Sequence, residues 1–313
     1  MSADYTIAVL IPCYNEAVTI YQVVEAFKAS LPTATVYVFD NNSRDGTRQI
    51  AKAAGAIVRT EPLQGKGHVV RRMFADVEAD IYVLVDGDGT YDAAAAPAMI
   101  KLLTEDNLDM VTGSRSHETS EAYRFGHQLG NQALTGTVRL LFGSQISDML
   151  SGYRVFSRRF VKSFPALAIG FETETEFTVH ALELHLPVGE INTRYGSRPQ
   201  GSVSKLNTIR DGIRIAKTIL KLVMREKPLS FFLGSAAVFF VIGMALGIPV
   251  VWEFLETRLV PRLPTAILAA CLVLLSFISV GCGLILDSVS LGRREAKRMR
   301  YLSLAAPHMD NLS

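Results

Sequence analysis

Short apolar runs recur along the first part of the chain, and most of them stop at a cluster of polar residues. Ile7–Ile11 ends at Pro12, Thr35–Phe39 ends in Asp40-Asn41-Asn42-Ser43, and Ile81–Val85 ends in Asp86-Gly87-Asp88; Ala56–Arg59 is a shorter run of the same kind. Their length and content predict strands. Between them Val18–Ala29, Thr47–Ala54 and His68–Val77 carry apolar residues at helical spacing, with Gly55 closing the second. The alternation predicts an α/β domain with a mostly parallel sheet and helices on both faces. Such sheets bind ligands beyond the carboxyl ends of their strands, where the polar clusters 12–16, 40–46 and 86–92 fall.

The pattern changes after Leu229. Leu229–Val251 and Leu263–Leu286 contain no charged residue, and each is long enough to cross about 30 Å of hydrocarbon. Lys221, Arg225 and Lys227 precede the first run, and Arg293, Arg294, Lys297, Arg298 and Arg300 follow the second; the connecting loop offers only Arg258 and Arg262. The excess of positive charge on the outer flanks predicts two spans with both termini in the cytoplasm, and Trp252 suits an interface. Before the first span, Leu206, Ile209, Ile213, Leu220 and Val223 recur at helical spacing among Arg210, Arg214, Lys217 and Lys221. A basic amphipathic helix on the membrane surface is expected there. The organisation expected is therefore a catalytic domain over 1–204, a juxtamembrane helix over 205–227, a hairpin of two spans over 228–287 and a basic cytosolic tail over 288–313.

Composition adds exclusions. The chain has 313 residues, 49% of them hydrophobic and 20% charged, with a formal net charge of +2. That balance excludes a disordered chain and offers no global field for nucleic acid. Three cysteines, Cys13, Cys271 and Cys282, have neither the number nor the spacing of a disulfide framework or a metal site. The polar start, Met1–Tyr5, runs directly into the first strand, so no signal peptide is expected. Pro12-Cys-Tyr-Asn-Glu16 follows the first strand where a dinucleotide-binding fold would need its glycine fingerprint, and no P-loop is present.

Asp86 and Asp88 set two carboxylates just past a strand, where a hard divalent cation shared with substrate phosphates would find oxygen ligands. Asp92 either joins this site or caps the helix beginning at Ala93. Asp40, Asn42 and Asp45 can accept from a base and a ribose, or cap the following helix. Gln64-Gly65-Lys66-Gly67 precedes a helix, where glycines permit close backbone approach and Lys66 attracts phosphate. Gly113-Ser114-Arg115, Arg124 and Arg198-Pro-Gln-Gly-Ser202-Val-Ser204-Lys205 are further basic or hydroxyl-rich segments suited to phosphate.

Taken in order, these motifs resemble the family 2 glycosyltransferases of the GT-A fold, whose sheet is Rossmann-like and mostly parallel. The resemblance covers roughly residues 5–225 and includes Asp148-x-x-Ser-Gly-Tyr-Arg154. Within the family the chain is similar to the polyprenyl-phosphate glycosyltransferases, the group containing dolichol-phosphate mannose synthase, and to bacterial members with two C-terminal spans. The resemblance implies that Pro12, Tyr14, Glu16, Asp40 and Asp86 contact the nucleotide sugar, and Asn42, Asp45 and Lys66 are expected beside them from their own chemistry. It implies Asp88, with Asp86, as ligands to Mg²⁺ or Mn²⁺, and Arg115, Arg124, Arg198, Ser202 and Lys205 as contacts to the acceptor or to phosphate. Thr90 stands where many relatives have Gln, which leaves the second protein ligand open. Processive synthases carry Gln-x-x-Arg-Trp, which the single tryptophan, Trp252, cannot supply.

The expected reaction is an inverting transfer of a hexose, glucose favoured, from a UDP-linked donor to polyprenyl (undecaprenyl) phosphate at the cytosolic face of the inner membrane. Asp88, Asp148 and Arg115 are the residues expected to act in it. Asp148 is read either as a base or as a scaffold that orients Arg154 or caps the Ser151-Gly152 turn. Two alternatives stand beside this: transfer to a lipid hydroxyl such as diacylglycerol, and an inactive membrane adaptor that binds sugar nucleotides. No nucleic-acid partner is expected, and self-association as a homo-oligomer is left open.

Overall fold

A computed structural model describes residues 5–117, 147–170, 172–196 and 227–305, with a few single positions between 136 and 225. Two compact units divide the chain: 1–215 with 297–313, and 216–296.

The first unit is built on a seven-stranded sheet in the order β3-β2-β1-β4-β6-β5-β7. The strands are β1 (Ile7–Cys13), β2 (Thr35–Asp40), β3 (Ile57–Thr60), β4 (Ile81–Leu84), β5 (Met110–His117), β6 (Arg154–Ser157) and β7 (Val188–Tyr195). All pairs are parallel except those of β6, which runs antiparallel to β4 and β5. The mostly parallel sheet expected from the sequence is present. Its central strands are buried on both faces, and β4 and β6 have no exposed residue. One core packs β1, β2, β4 and β6 against α1 (Ile20–Ser30), α2 (Thr47–Ala53) and α4 (Ala96–Glu105). The opposite core packs the sheet against α3 (Lys66–Asp76), α5 (Arg158–Ser163) and α6 (Thr173–Glu183), with Phe74, Phe156, Phe160, Phe164 and Phe177 in mutual ring contact. The last three strands escape a reading by apolar runs. β5 reads Met-Val-Thr-Gly-Ser-Arg-Ser-His, β7 is half polar, and β6 is four residues long.

Arg154 shows how a charged residue can open a strand in this core. It is fully buried, donating to the Ser151 and Met149 carbonyls and to Thr178 Oγ1, with its guanidinium over the Phe177 ring. Burial pushes its pKa down to about 10, against the attraction of Glu174 and Asp148.

The second unit contains α7 (Pro228–Thr257) and the larger part of α8 (Leu263–Leu302). Both are long and apolar enough to cross a membrane. Large side chains along them face outward, Val241 and Ile285 being 65% and 67% exposed, so these are not core helices of a soluble domain. Buried positions recur every seven residues: Ala236, Gly243 and Val250 in α7, and Ala269, Ser276, Gly283 and Ser290 in α8. A methyl group on Gly243 would stand 3.0 Å from Val273 and 3.2 Å from the Ala269 carbonyl, so small residues set the close approach of the two helices. The helix α8 continues past the expected end of the span to Leu302, through residues of good helix propensity. Its last turns belong to the first unit, where Tyr301 donates to Asp109 Oδ2 at 2.7 Å and Lys297 pairs with Glu183 at 2.6 Å.

Candidate active site at the strand ends

The loops after β1, β2 and β3 are laced together. Ser43 Oγ accepts from the Asn15 amide, Thr47 Oγ1 from that of Glu16 and Asp45 Oδ2 from that of Ala17. Asn41 reaches the other way, donating to the Glu61 and Leu63 carbonyls and accepting from the Gly65 amide at 2.7 Å, while Asn42 donates to the Pro62 carbonyl. The segments holding Pro12, Tyr14, Glu16, Asp40, Asn42, Asp45 and Lys66 thus form one rim. Within it the side chains differ in what they have left to offer. The Asp45 oxygens accept from the Thr47 amide and hydroxyl as well as from Ala17, in a turn before the helix whose N-cap position is Gly46. Asp40 is fully buried; its Oδ2 accepts from Ser43 and Arg48, and its Oδ1 has no hydrogen-bond partner among the described residues.

Asp86 and Asp88 follow β4. Asp88 is buried, and its Oδ1 accepts from the Thr90 amide and hydroxyl at 3.2 and 2.6 Å. Thr90, where a second metal ligand was in question, therefore serves the carboxylate itself. Asp86 Oδ1 accepts from Lys66 Nζ at 2.5 Å, and Lys66 also pairs with Glu174. Burial alone would lower the Lys66 pKa, but the two carboxylates outweigh it and raise it. Carboxylate oxygens such as those of Asp86 and Asp88 are hard donors suited to Mg²⁺ or Mn²⁺. No group of three or more acidic, His or Cys side chains suited to a metal occurs among the described residues. The donor set fits a cation that completes its shell with phosphate oxygens and water. Asp92 caps the following turn, accepting from the Ala94 amide.

Glycines here serve the protein's own packing. A Cβ on Gly65 or Gly67 would collide with the carbonyls of Ile169 and Ala168, and the Gly67 amide donates to Ile169. The close approach expected at Gln64-Gly-Lys-Gly67 is made by the chain itself. At Gly152 a Cβ would collide with the Asp86 carboxylate.

Beyond β5, Arg115 and Asp148 form a two-pronged pair, Nε to Oδ2 at 2.7 Å and Nη2 to Oδ1 at 2.8 Å. Asp148 also accepts from the Leu150 amide, so it caps the turn before Ser151 and orients Arg115; Arg154 hydrogen-bonds elsewhere. Burial would raise the Asp148 pKa, but hydrogen bonds and charge from Arg115 hold it below the usual carboxylate range. Glu190 of β7 accepts from the Ser147 amide and hydroxyl and from the Asp148 amide, which pins this loop. Tyr91 accepts from the Gly152 amide and packs on Tyr153 and Tyr195, and the Arg115 guanidinium lies over the Tyr195 ring. Glu174, Glu190, Tyr91 and Tyr195 were not singled out in the sequence, because each acts through a partner distant along the chain. Arg124, Arg198, Ser202 and Lys205 lie outside the described residues, as does most of the juxtamembrane segment.

Residues 8–164 match the family described as glycosyl transferase family 2. The glycosyltransferase AglJ of Haloferax volcanii is 32% identical over 307 residues, covering 96% of this chain and all of that protein. The chain belongs to glycosyl transferase family 2. A dolichyl-phosphate hexose transferase of the same organism is 25% identical, over 72% of this chain and 98% of its own. Among solved structures, glucosyl-3-phosphoglycerate synthase of Mycobacterium tuberculosis, in a complex with Mn²⁺, UDP-glucose and phosphoglyceric acid, superposes with a TM-score of 0.57. That match is 22% identical and covers 70% of this chain and 79% of that one; it shows a shared GT-A-like fold.

Proposed function

We propose that the protein transfers a hexose, glucose being favoured, from a UDP-sugar to a polyprenyl phosphate such as undecaprenyl phosphate, with inversion at the anomeric carbon. The reading rests above all on one observation: a family 2 site with paired strand-end carboxylates shares its chain with a hairpin of two apolar helices. A dolichyl-phosphate hexose transferase among the relatives supports a lipid phosphate acceptor, and the neighbour holding Mn²⁺ and UDP-glucose supports the donor and the cation.

In this reading the orphan Asp40 Oδ1 accepts an imino N–H of the base, and Pro12, Tyr14 and Glu16 complete the nucleoside contacts. Asp88 and Asp86 hold the divalent cation, which offsets charge on the departing diphosphate. A phosphate oxygen of the acceptor attacks the anomeric carbon as the bond to the diphosphate breaks. That oxygen is already ionised near neutral pH, so no strong base is needed, and positioning and electrostatics supply the acceleration. Arg115, held by Asp148, faces the acceptor phosphate, with Arg124, Arg198, Ser202 and Lys205 as further contacts. A lipid alcohol would need a base, and an aspartate held ionised by arginine is a weak one. The flanking charges support a catalytic unit and both termini on the cytoplasmic side of the inner membrane.

The test is incubation of membranes carrying the protein with labelled UDP- and GDP-hexoses and undecaprenyl phosphate. A labelled polyprenyl-phosphate sugar, sensitive to mild acid, is expected. Label appearing only in a glycolipid that survives mild acid would move the reading to a hydroxyl acceptor, and transfer from no donor would leave the adaptor reading.

A further inference from the structure

Lys66 is bracketed by two carboxylates. Its ammonium donates to Asp86 at 2.5 Å on one side and to Glu174, in the first turn of α6, on the other. The Lys66 and Glu174 side chains are 9% and 6% exposed, whereas Asp86 is 31% exposed. Only Asp86 therefore opens to incoming ligands. Glu174 keeps a spare acceptor, since its Oε2 is buried with no hydrogen-bond partner among the described residues. Gly152 lets Asp86 sit against the backbone on its other oxygen.

A cation already occupies Asp86 in this arrangement. A divalent ion drawn to Asp86 and Asp88 must displace the ammonium or sit beside it, and like charges repel strongly in a water-poor site. A diphosphate removes the conflict, because it carries enough negative charge for both cations.

We propose that Lys66 is a built-in competitor of the divalent cation and that Glu174 is the positioning residue that tethers it. Lys66 covers Asp86 in the free enzyme. It passes to the donor diphosphate, still held by Glu174, when nucleotide and metal bind together. Metal binding is thereby conditional on nucleotide, and the free enzyme does not hold its cation in an unproductive state. The proposal deepens the function given above and rests on it for the diphosphate.

The test is titration of the full-length, detergent-purified protein with Mn²⁺, followed by its paramagnetic resonance signal, with and without UDP. Without UDP, Lys66→Met and Lys66→Gln should each bind Mn²⁺ about fivefold more tightly than the wild type, roughly 1 kcal/mol. Glu174→Gln should bind it more weakly, because Lys66 then has Asp86 as its sole anionic partner. UDP should strengthen Mn²⁺ binding far more in the wild type than in either Lys66 variant. A merely structural lysine predicts the opposite sign in both Lys66 variants, looser Mn²⁺ binding. Unchanged or weakened Mn²⁺ affinity in the Lys66 variants that fold, or equal enhancement by UDP, overturns the proposal. Sugar transfer by the wild type is scored separately. The expected Mn²⁺ pattern with no transfer from any donor would refute the function and leave the competition standing.

Discussion

Arg115 and Asp148 are joined by two parallel hydrogen bonds of 2.7 and 2.8 Å, which makes the aspartate an anchor for the arginine. Asp148 is held ionised by that contact. Asp148→Asn should lower kcat/KM by roughly ten- to a hundredfold through a misplaced Arg115, taking about 1.4 kcal/mol per decade. Arg115→Lys should do the same, since an ammonium cannot make both bonds. The wild-type pH–rate profile should show no limb near neutral pH that vanishes in Asp148→Asn; such a limb would make Asp148 a base.

In the proposed function Asp88 both accepts from Thr90 and holds the cation, and its variants should separate the two. Asp88→Ala loses the bonds from Thr90 as well as the proposed cation ligand, whereas Thr90→Val loses one hydroxyl bond only. Transfer should disappear in Asp88→Ala and in the wild type treated with EDTA, and Mg²⁺ or Mn²⁺ should restore only the latter. Thr90→Val should retain activity at reduced cation affinity, a loss of about 1 kcal/mol.

Gly67 and Gly152 test which glycines serve packing and which serve the site. Gly67→Ala drives a methyl group into the Ala168 carbonyl and should destabilise the first unit by roughly 1–3 kcal/mol, read as a lowered Tm. Gly152→Ala drives one into the Asp86 carboxylate. It should weaken binding of UDP with Mn²⁺ more than it lowers Tm.

These two glycines also mark how far the sequence can be read. The runs ending at Pro12, Asp40 and Asp86 made the parallel half of the sheet legible, because buried parallel strands are continuous apolar stretches. Asp86 and Asp88 stood out for the same reason, as charges directly after such a stretch. Nothing local to Lys66 points to Glu174, since 108 residues separate them and their pairing exists only once α3 and α6 pack on one face of the sheet. Likewise the glycines of Gln64-Gly-Lys-Gly67 suggested a ligand, but Ala168 and Ile169 fill the space. Strand β5 hid its burial, and β7 its place in the sheet, behind Ser, Thr, Asn and Glu side chains that hydrogen-bond within the sheet or the adjoining loop.

His180 predicts an acid-sensitive fold. Burial among Phe160 and Phe164, with Lys297 adding to it, pushes its pKa down to about 3. The unfolded chain takes up a proton near pH 6.5 while the folded one stays neutral. Stability is therefore complete above that pH and falls by up to about 1.4 kcal/mol per unit as pH drops towards 3. Thermal unfolding between pH 7 and 5 should show this slope, and His180→Phe should flatten it.

The orientation of the hairpin can be read by labelling. With Cys13, Cys271 and Cys282 replaced, Glu256→Cys should react with an impermeant thiol reagent added to intact cells. A cysteine at Ser303 should react only after the cells are opened. The reverse pattern would place the acceptor in the outer leaflet.

The seven-residue spacing of Ala236, Gly243 and Val250 against Ala269, Ser276, Gly283 and Ser290 gives the apolar hairpin a phase as well as a length. Each added residue turns the rest of a helix by about 100°. A single insertion after Ser276 would thus rotate Gly283 out of the seam and bring the Cys282 side chain round to face Phe232, where a Cβ would already stand 3.0 Å from it. Outward-facing residues can be exchanged for other apolar ones at little cost. Adapting the hairpin to a thicker bilayer is a different matter: it proceeds in steps of a whole heptad, roughly 10 Å of helix at a time.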